Sequence, residues 1–365
     1  MRGGGIELEG WDHVEVWVGN ARQAAHFFAS GLGFEVVAYA GPETGVADRA
    51  SYVLEQGALR LVVTSALQAS SPIAAHHRSH GDGVRSLAFA VTDAASAYDA
   101  ALARGAIGIA GPRTEEDASG KLVTATIAAY GDTEHTFVER TAYSGVFAPG
   151  FESRRLPPPP AGAAVGLRGF DHVVANVGPG DLGCWVEFYE EVLGFDRLVH
   201  FGDDQISTEY SALMSTVVWD GSRVVLPINE PAQGRRRSQI QEFLDFYGCP
   251  GVQHLALATD DIVATVDALR GRGLRFLGVP ADYYDDVRRR AGDLDLPWED
   301  LRRLGILVDR DEDGHLLQIF TENVGDRPTL FLEIIQRRGA RGFGAGNFKA
   351  LFEAIEAEQE RRGNL

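Results

Sequence analysis

Three short segments of this sequence occur twice, once in each half of the chain. The second-half segments and their first-half counterparts are, in chain order, 169–174 (GFDHVV) and 10–15 (GWDHVE), 251–257 (GVQHLAL) and 83–89 (GVRSLAF), and 330–335 (LFLEII) and 136–140 (TFVER). Such a repeat predicts a duplicated architecture rather than one continuous domain. At 365 residues, the chain is long enough for two halves of similar size, each with its own core.

The two copies differ in residues that bind metals. The second copy contains His172, His254 and Glu333, whereas Ser86 stands in the first copy where the second histidine is expected. Two imidazoles and one carboxylate on one face of a metal leave three coordination positions open, which is the arrangement of non-haem Fe(II) oxygenases. A serine hydroxyl cannot replace an imidazole as a strong ligand. The sequence therefore predicts a metal site in the second half and a scaffold in the first.

The periodicity of apolar residues predicts the same order of elements in each half. Trp185, Phe188, Tyr189 and Val192 are spaced as on one face of a helix, and Gly194 then ends it. Short alternating segments separated by turn residues follow and predict strands. Each half is therefore expected to be an α+β fold of repeated strand–helix–strand–strand–strand units.

A proline-rich stretch separates the two copies. Residues 152–168 contain four consecutive prolines, 157–160, followed by alanine and glycine, a composition typical of a stiff, solvated linker. We therefore expect a half without metal over residues 1–151, a linker over 152–168, and a metal-binding half over 169–365.

Alternation along the strands predicts which side chains share a face. Gln318 shares a face with Phe320, and Phe331 shares one with Glu333. A buried carboxylate without a partner costs several kcal/mol, so a glutamate within the apolar segment 330–335 favours a nearby cation. A concave sheet that closes on a metal-lined cavity accounts for this pattern.

Composition excludes several functional classes. The chain has 34 basic and 52 acidic residues, a net charge of −18 that opposes binding to nucleic acid or to anionic membranes. The sequence has no apolar run of about 18 residues and no signal peptide, so we expect a soluble, cytoplasmic protein. Cys184 and Cys249 lack the spacing of a thiolate metal site or a redox pair and are expected to be ordinary thiols.

Other candidate sites in the sequence are weaker. His76, His77 and His80 lie in a stretch rich in serine, arginine and glycine, which predicts a solvated loop, with a weak adventitious metal site as the alternative. Residues 342–347 (GFGAGN) lack the Lys-Ser/Thr ending of a phosphate loop. The sequence has no Gly-x-Ser-x-Gly segment of the kind found in serine hydrolases.

Six segments of the second half together resemble the 4-hydroxyphenylpyruvate dioxygenase family. They are 227–231 (PINEP), 238–240 (SQI), 251–254 (GVQH), 317–320 (LQIF), 331–335 (FLEII) and 342–349 (GFGAGNFK). The resemblance implies the vicinal oxygen chelate fold, in which duplicated βαβββ modules form two open β-barrel halves. It is dense from Gly169 to the C-terminus and looser before it.

The resemblance also implies a cofactor, a substrate and a set of site residues. Fe(II) would be held by His172, His254 and Glu333, and 4-hydroxyphenylpyruvate and O2 would be converted to homogentisate and CO2 in tyrosine catabolism. A homo-oligomer without nucleic acid or membrane partners is expected. The implied catalytic residues are Gln239, Gln253 and Gln318, and the implied substrate-binding residues are Ser215, Asn229, Phe320, Phe331, Phe343, Asn347 and Phe348.

Two alternative functions and one structural question remain open at this point. The alternatives are 4-hydroxymandelate synthase, with the same substrate and metal, and a binding protein of this fold that sequesters an aromatic ligand. The resemblance favours the dioxygenase because the synthase pattern lacks PINEP and has an aliphatic residue in place of Phe348. From Asn347 to Glu360 the sequence predicts an amphipathic helix, which either closes the core or acts as a lid.

Overall fold

The computed structural model describes residues 5–154, 164–202, 212–232, 234–280, 283–291 and 294–364. The first half forms a nine-stranded sheet, whose strands are β1 (Gly10–Trp17), β2 (Glu35–Ala40), β3 (Arg49–Gln56), β4 (Leu59–Ala66), β5 (Gly83–Ala90), β6 (Gly108–Asp117), β7 (Gly120–Ala128), β8 (Glu134–Glu139) and β9 (Glu152–Ser153). The second half forms an eight-stranded sheet of β10 (Leu167–Asn176), β11 (Asp196–Phe201), β12 (Ala212–Trp219), β13 (Val225–Ala232), β14 (Gly251–Thr259), β15 (Leu307–Arg310), β16 (His315–Phe320) and β17 (Phe331–Arg338).

Nine α-helices lie within the described residues. They are α1 (Ala21–Leu32), α2 (Pro72–His80), α3 (Ala94–Ala103), α4 (Leu182–Phe188), α5 (Gln239–Tyr247), α6 (Ile262–Gly271), α7 (Tyr283–Ala291), α8 (Trp298–Leu304) and α9 (Phe348–Arg362). The helix predicted around Trp185 is confirmed as α4, which continues as a π-helical turn to Leu193. Gly194 ends it with φ of 78°, a left-handed conformation that glycine adopts without strain.

Strand order confirms the predicted duplication. The first sheet runs β6-β7-β8-β5-β1-β4-β3-β2-β9, and the second, in the reverse direction, runs β15-β16-β17-β14-β10-β13-β12-β11. Apart from β9 the two orders are equivalent, and each half contains two strand–helix–strand–strand–strand modules. In both halves the central pair is antiparallel, β1 with β5 and β10 with β14, and each of these strands has a parallel neighbour on its other side. The two curled sheets give the predicted α+β half-barrel architecture.

The predicted linker lies partly outside the described residues. Its middle, 155–163, is not described, while its ends contribute β9 and the first residues of β10. The amides of Val165 and Leu167 donate hydrogen bonds to Oε1 of Gln56, so the second half begins in contact with the first. The division into 1–151, 152–168 and 169–365 stays a prediction.

The prediction of a solvated loop for His76, His77 and His80 was wrong, because the segment is a helix and only His77 keeps an exposed side chain. His76 and His80 lie on α2 and are buried, with 4% and 8% of their surfaces exposed. Ser71 caps this helix by accepting a hydrogen bond from the amide of Ile73, and Pro72 occupies its first turn. His76 and His80 are buried because they pack against Tyr247 of α5, which is distant from them in the sequence.

The predicted C-terminal helix is confirmed as α9 and packs against α5. Phe352 joins a buried apolar cluster with residues of α5, including Ile240 and Phe243. The guanidinium of Arg362 donates two hydrogen bonds, of 2.9 and 3.1 Å, to the buried carboxylate of Glu242. Within the described residues, no helix is long and apolar enough to cross a membrane.

Candidate metal centre and substrate cavity

Three neighbouring strands bring the predicted metal ligands together. His172 lies on β10, His254 on β14 and Glu333 on β17, and Ala256 of β14 pairs with both His172 and Glu333. Nε2 of His172 and Nε2 of His254 lie 3.2 and 3.4 Å from Oε2 of Glu333. The three side chains are buried, and their ligand atoms converge on one point at the wall of a cavity.

The surroundings of Glu333 fit a divalent cation. Its Oε1 atom is buried and has no hydrogen-bond partner among the described residues, which is costly for a carboxylate. Burial alone lowers the pKa of His172, but the charges of Glu333 and Asp171 outweigh burial and raise it above its usual range. Without a metal, a proton on His172 therefore balances the carboxylate. A divalent cation replaces that proton when it binds.

Hydrogen bonds behind the ligands fix the orientation of both imidazoles. Nδ1 of His172 donates to Oδ1 of Asp171 at 2.7 Å, and Nδ1 of His254 donates to Oε1 of Gln253 at 3.2 Å. In both rings Nε2 is thereby directed toward Glu333, which is how metal-binding histidines are usually held. His254 also stacks on Phe331, with ring centroids 4.7 Å apart.

Arg337 completes the support behind His172. Its guanidinium donates to both oxygens of Asp171, at 2.7 and 2.9 Å, and lies over the ring of Phe343. Burial alone raises the pKa of Asp171, but the hydrogen bonds from His172 and Arg337 hold it well below its usual range. The carboxylate is therefore charged at neutral pH and stabilises the proton on Nδ1 of His172.

A cavity lies next to these ligands and is lined by polar and aromatic side chains. Five neutral polar side chains reach it, namely Ser215, Asn229, Gln239, Gln253 and Gln318. Nε2 of Gln253 donates to Oε1 of Gln239 at 3.4 Å. Gly344, with φ of 74°, approaches Gln318 so closely that an added Cβ would lie 2.2 Å from its Nε2 atom.

Aromatic side chains form the apolar wall of the cavity. Phe320, Phe331, Phe343 and Phe348 all line it, and their role in substrate binding stays a prediction. Asn347 does not line it: this residue is fully buried, and its Oδ1 atom accepts a hydrogen bond from the hydroxyl of Tyr283 at 2.6 Å.

Several lining residues were not anticipated from the sequence. They are Val174, Phe201, Leu213, Val217, Pro227, Leu351 and Phe352. Alternation along β12 was a usable signal, because Leu213 and Val217 share a face with Ser215. Phe201 reaches the cavity through an edge-on contact with Phe348, at 5.2 Å between ring centroids, and this long-range contact has no local signal.

The first half contains a counterpart of this centre. One of its three residues is not the residue that the sequence repeat predicts. Ala88 of β5 pairs with both His13 and Thr136, as Ala256 does with the second-half ligands. Thr136, and not the nearby Glu139, therefore occupies the place of the ligand glutamate. Glu139 instead accepts a hydrogen bond from the amide of Ala94.

Known proteins are similar to this chain in both sequence and fold. The model of the Glyoxalase/Bleomycin resistance protein/Dioxygenase superfamily matches residues 10–135 and 169–319. A 4-hydroxyphenylpyruvate dioxygenase of Dictyostelium discoideum is 47% identical over 98% of this chain and 100% of its own length, and one of Yarrowia lipolytica is 45% identical over 98% and 93%. The structure of a mutant 4-hydroxymandelate synthase from Streptomyces coelicolor superposes with a TM-score of 0.86 at 37% identity, covering 96% of this chain and 99% of that one.

These matches extend over nearly the whole chain and agree with the duplicated βαβββ modules and the paired half-barrels. The fold is the vicinal oxygen chelate fold, and the chain is an enzyme. From its identity to the curated relatives over this length, it belongs to the 4-hydroxyphenylpyruvate dioxygenase family.

Proposed function

We propose that this enzyme converts 4-hydroxyphenylpyruvate and O2 to homogentisate and CO2, with Fe(II) held by His172, His254 and Glu333. The observation that carries the proposal is the convergence of these three ligands on one wall of a partly aromatic cavity. The unpartnered Oε1 atom of Glu333 supports a cation at that point. Ferrous iron, when bound, supplies electrons to dioxygen and open positions for the keto acid and O2.

The amide side chains position the substrate. Gln239, Gln253 and Gln318 offer both donors and acceptors, and Ser215 and Asn229 extend this polar surface along β12 and β13. Neutral amides and hydroxyls hold a phenol and a keto acid without removing a proton from the phenol. The contact between Gln253 and both Gln239 and His254 couples the substrate-binding amides to a metal ligand.

The aromatic side chains determine which substrate carbon faces the metal and exclude water. Phe331 stacks on His254, and Phe343 lies edge-on to His172 at 5.5 Å, so two phenyl rings flank the ligand imidazoles. Phe348, at the start of α9, also lines the cavity. A ring clamped among phenyl groups has few orientations, which favours one product.

Product identification tests the proposal. The protein, stripped of metal and reloaded with Fe(II), is incubated aerobically with 4-hydroxyphenylpyruvate, while O2 uptake is followed and the products are identified by mass spectrometry. We expect homogentisate and CO2 in equal amounts, with one O2 consumed for each. The metal-free protein is the control and should consume none.

A second candidate reaction is the formation of 4-hydroxymandelate, which the structural similarity to a mandelate synthase mutant motivates. It shares substrate and metal, so only the product distinguishes it. Predominant 4-hydroxymandelate in the same assay would replace the dioxygenase proposal. The cytoplasmic location, the homo-oligomer and the role in tyrosine catabolism stay predictions from the sequence.

A further inference from the structure

A second group of potential metal ligands lies in the first half, away from the proposed iron. His76 and His80 are separated by four residues on α2, so their rings project from one face of the helix. Asp132, in the turn between β7 and β8, faces both. Its Oδ2 atom lies 3.2 Å from Nδ1 of His76 and 3.0 Å from Nε2 of His80.

The geometry of this group matches that of the proposed iron centre. There the two imidazole nitrogens lie 3.2 and 3.4 Å from one carboxylate oxygen, and here the corresponding separations are 3.2 and 3.0 Å. Within the described residues, only these two groups bring three such ligand atoms together. The Asp132 group is not a remnant of the duplication, because the first-half counterpart of the iron centre is His13, Ser86 and Thr136.

Hydrogen bonding of His80 leaves one ring nitrogen available for a metal. Its Nδ1 atom donates to the backbone carbonyl of Tyr247, which fixes the tautomer with a lone pair on Nε2. That lone pair faces Oδ2 of Asp132, and two acceptors do not attract each other unless a proton or a cation lies between them. A backbone carbonyl holding the other nitrogen is the usual support of a metal-binding imidazole.

His76 contributes a second imidazole. Its ring is buried, and its Nδ1 atom faces Oδ2 of Asp132 at 3.2 Å. Its Nε2 atom, which is not the nitrogen that faces Asp132, is buried without a hydrogen-bond partner among the described residues. The side chain of Asp132 is 46% exposed, so an ion can reach the group from solvent and keep a water ligand.

We propose that His76, His80 and Asp132 form a second metal site, which binds a zinc-class divalent ion between the two halves of the molecule. Two imidazoles, one carboxylate and a water form a common tetrahedral ligand set for Zn²⁺. For such nitrogen and oxygen ligands, Zn²⁺ binds more tightly than Fe²⁺, and because this order also applies to the proposed iron centre, both metals have to be counted in the test.

The site connects the first half to α5 of the second. The ring of His80 packs on Tyr247, at 4.7 Å between centroids, and Tyr247 stacks on Phe243 at 5.0 Å. Gln239, at the other end of α5, lines the substrate cavity. A metal that fixes His80 therefore stabilises the helix that carries Gln239, without touching the substrate.

Metal counting tests the inference directly. Iron-loaded protein is titrated with Zn²⁺, desalted and analysed for both metals by mass spectrometry. We expect one zinc per chain in addition to an unchanged iron content. Asp132→Asn, which keeps the size of an exposed side chain, and His80→Ala should each lose this zinc while retaining iron. The control is His77→Ala on the same helix, since His77 faces Asp82 instead, and it should bind zinc as the wild type does.

Three results would overturn the site. They are no zinc beyond the iron in the wild type, zinc that rises only as iron falls, and equal loss of zinc in the His77→Ala control. Thermal unfolding gives a second measurement that does not depend on activity. Zinc should raise the Tm of the wild-type and His77→Ala proteins but leave that of Asp132→Asn unchanged. An identical Tm shift in Asp132→Asn would mean that zinc binds elsewhere.

Discussion

The two halves of the molecule share the support for a metal-binding histidine but differ in the other two ligands. In each half an arginine binds an aspartate that accepts a hydrogen bond from the histidine beside it, and a phenylalanine covers the arginine. These residues are Asp12, His13, Arg140 and Phe147 in the first half, and Asp171, His172, Arg337 and Phe343 in the second. A preserved support around one histidine therefore does not make a metal site.

Two positions on the neighbouring strands account for the difference. In the first half Ser86 and Thr136 occupy them, and their hydroxyls hydrogen-bond to each other at 2.9 Å. In the second half His254 and Glu333 occupy them, and a carboxylate oxygen stays without a partner. Ser86 and Thr136 satisfy each other, so the first-half counterpart of the iron centre is complete without a cation, whereas the second-half centre requires one.

The largest expected effect is the loss of a second-half ligand. His254→Ala or Glu333→Ala should lower turnover by more than about 100-fold, because changes to residues that only support a ligand already cost metal affinity on that order. His13→Ala is the first-half control and should leave iron content and turnover close to wild type. Iron is counted after stripping and reloading, and turnover is measured as homogentisate formed. A comparable loss in His13→Ala would contradict the assignment of the iron to the second half.

The sequence predicted much of this comparison because the informative residues lie in short, repeated segments. His172, His254 and Glu333 stand within repeated strand segments, and the replacement of the second histidine by Ser86 is visible without a structure. Alternation placed the cavity face correctly for Gln318 and Phe331. The strand register did not follow from the repeat, since Thr136 rather than Glu139 occupies the ligand position.

Features that depend on contacts between distant segments were not predictable. The histidines of α2 read as a solvated segment because their partner Tyr247 lies on the other half. Phe201 and Phe352 enter the cavity wall through the packing of β11 and α9. Asn347 accepts a hydrogen bond from the hydroxyl of Tyr283, the first residue of α7. The sequence around Asn347 does not show where α7 packs, so this contact was not predictable.

A smaller effect is expected from the aspartates that support the two histidines. Asp171→Asn should weaken Fe(II) binding by about 10- to 100-fold, because the amide no longer fixes the proton on Nδ1 of His172. Asp12→Asn removes the equivalent charge in the first half and should leave iron affinity unchanged. Both variants lose a buried aspartate–arginine pair, so similar losses of unfolding free energy are expected. Iron affinity and denaturant unfolding are measured on both, and equal iron affinities would remove the distinction between the halves.

The next prediction concerns Phe348, which belongs to the aromatic wall of the second-half cavity. Phe348→Ile enlarges the cavity beside Phe201 and lets the substrate shift, so 4-hydroxymandelate should appear beside homogentisate. The control is Phe147→Ile in the first half, whose ring covers Arg140 and does not reach the cavity, and its product should be homogentisate alone. Products are quantified by chromatography. An unchanged product ratio in an active Phe348→Ile protein would mean that residues other than Phe348 orient the substrate ring.

The smallest effect concerns the attachment of α9 to the second half. Arg362 near its end binds the buried carboxylate of Glu242 on α5, and this pair holds the helix across the cavity that Phe348 and Leu351 line. Arg362→Gln should let the helix open more often, so that water enters and O2 is consumed without matching product. We expect a few-fold rise in O2 uptake without product, measured as O2 consumed per homogentisate formed, while iron content stays constant. Arg361→Gln is the control, because Arg361 is exposed and pairs with Glu358 of the same helix and, at 3.8 Å, with Glu322, whereas Arg362 pairs with Glu242 of α5. A loss of thermal stability with fully coupled turnover would instead identify α9 as a packing helix.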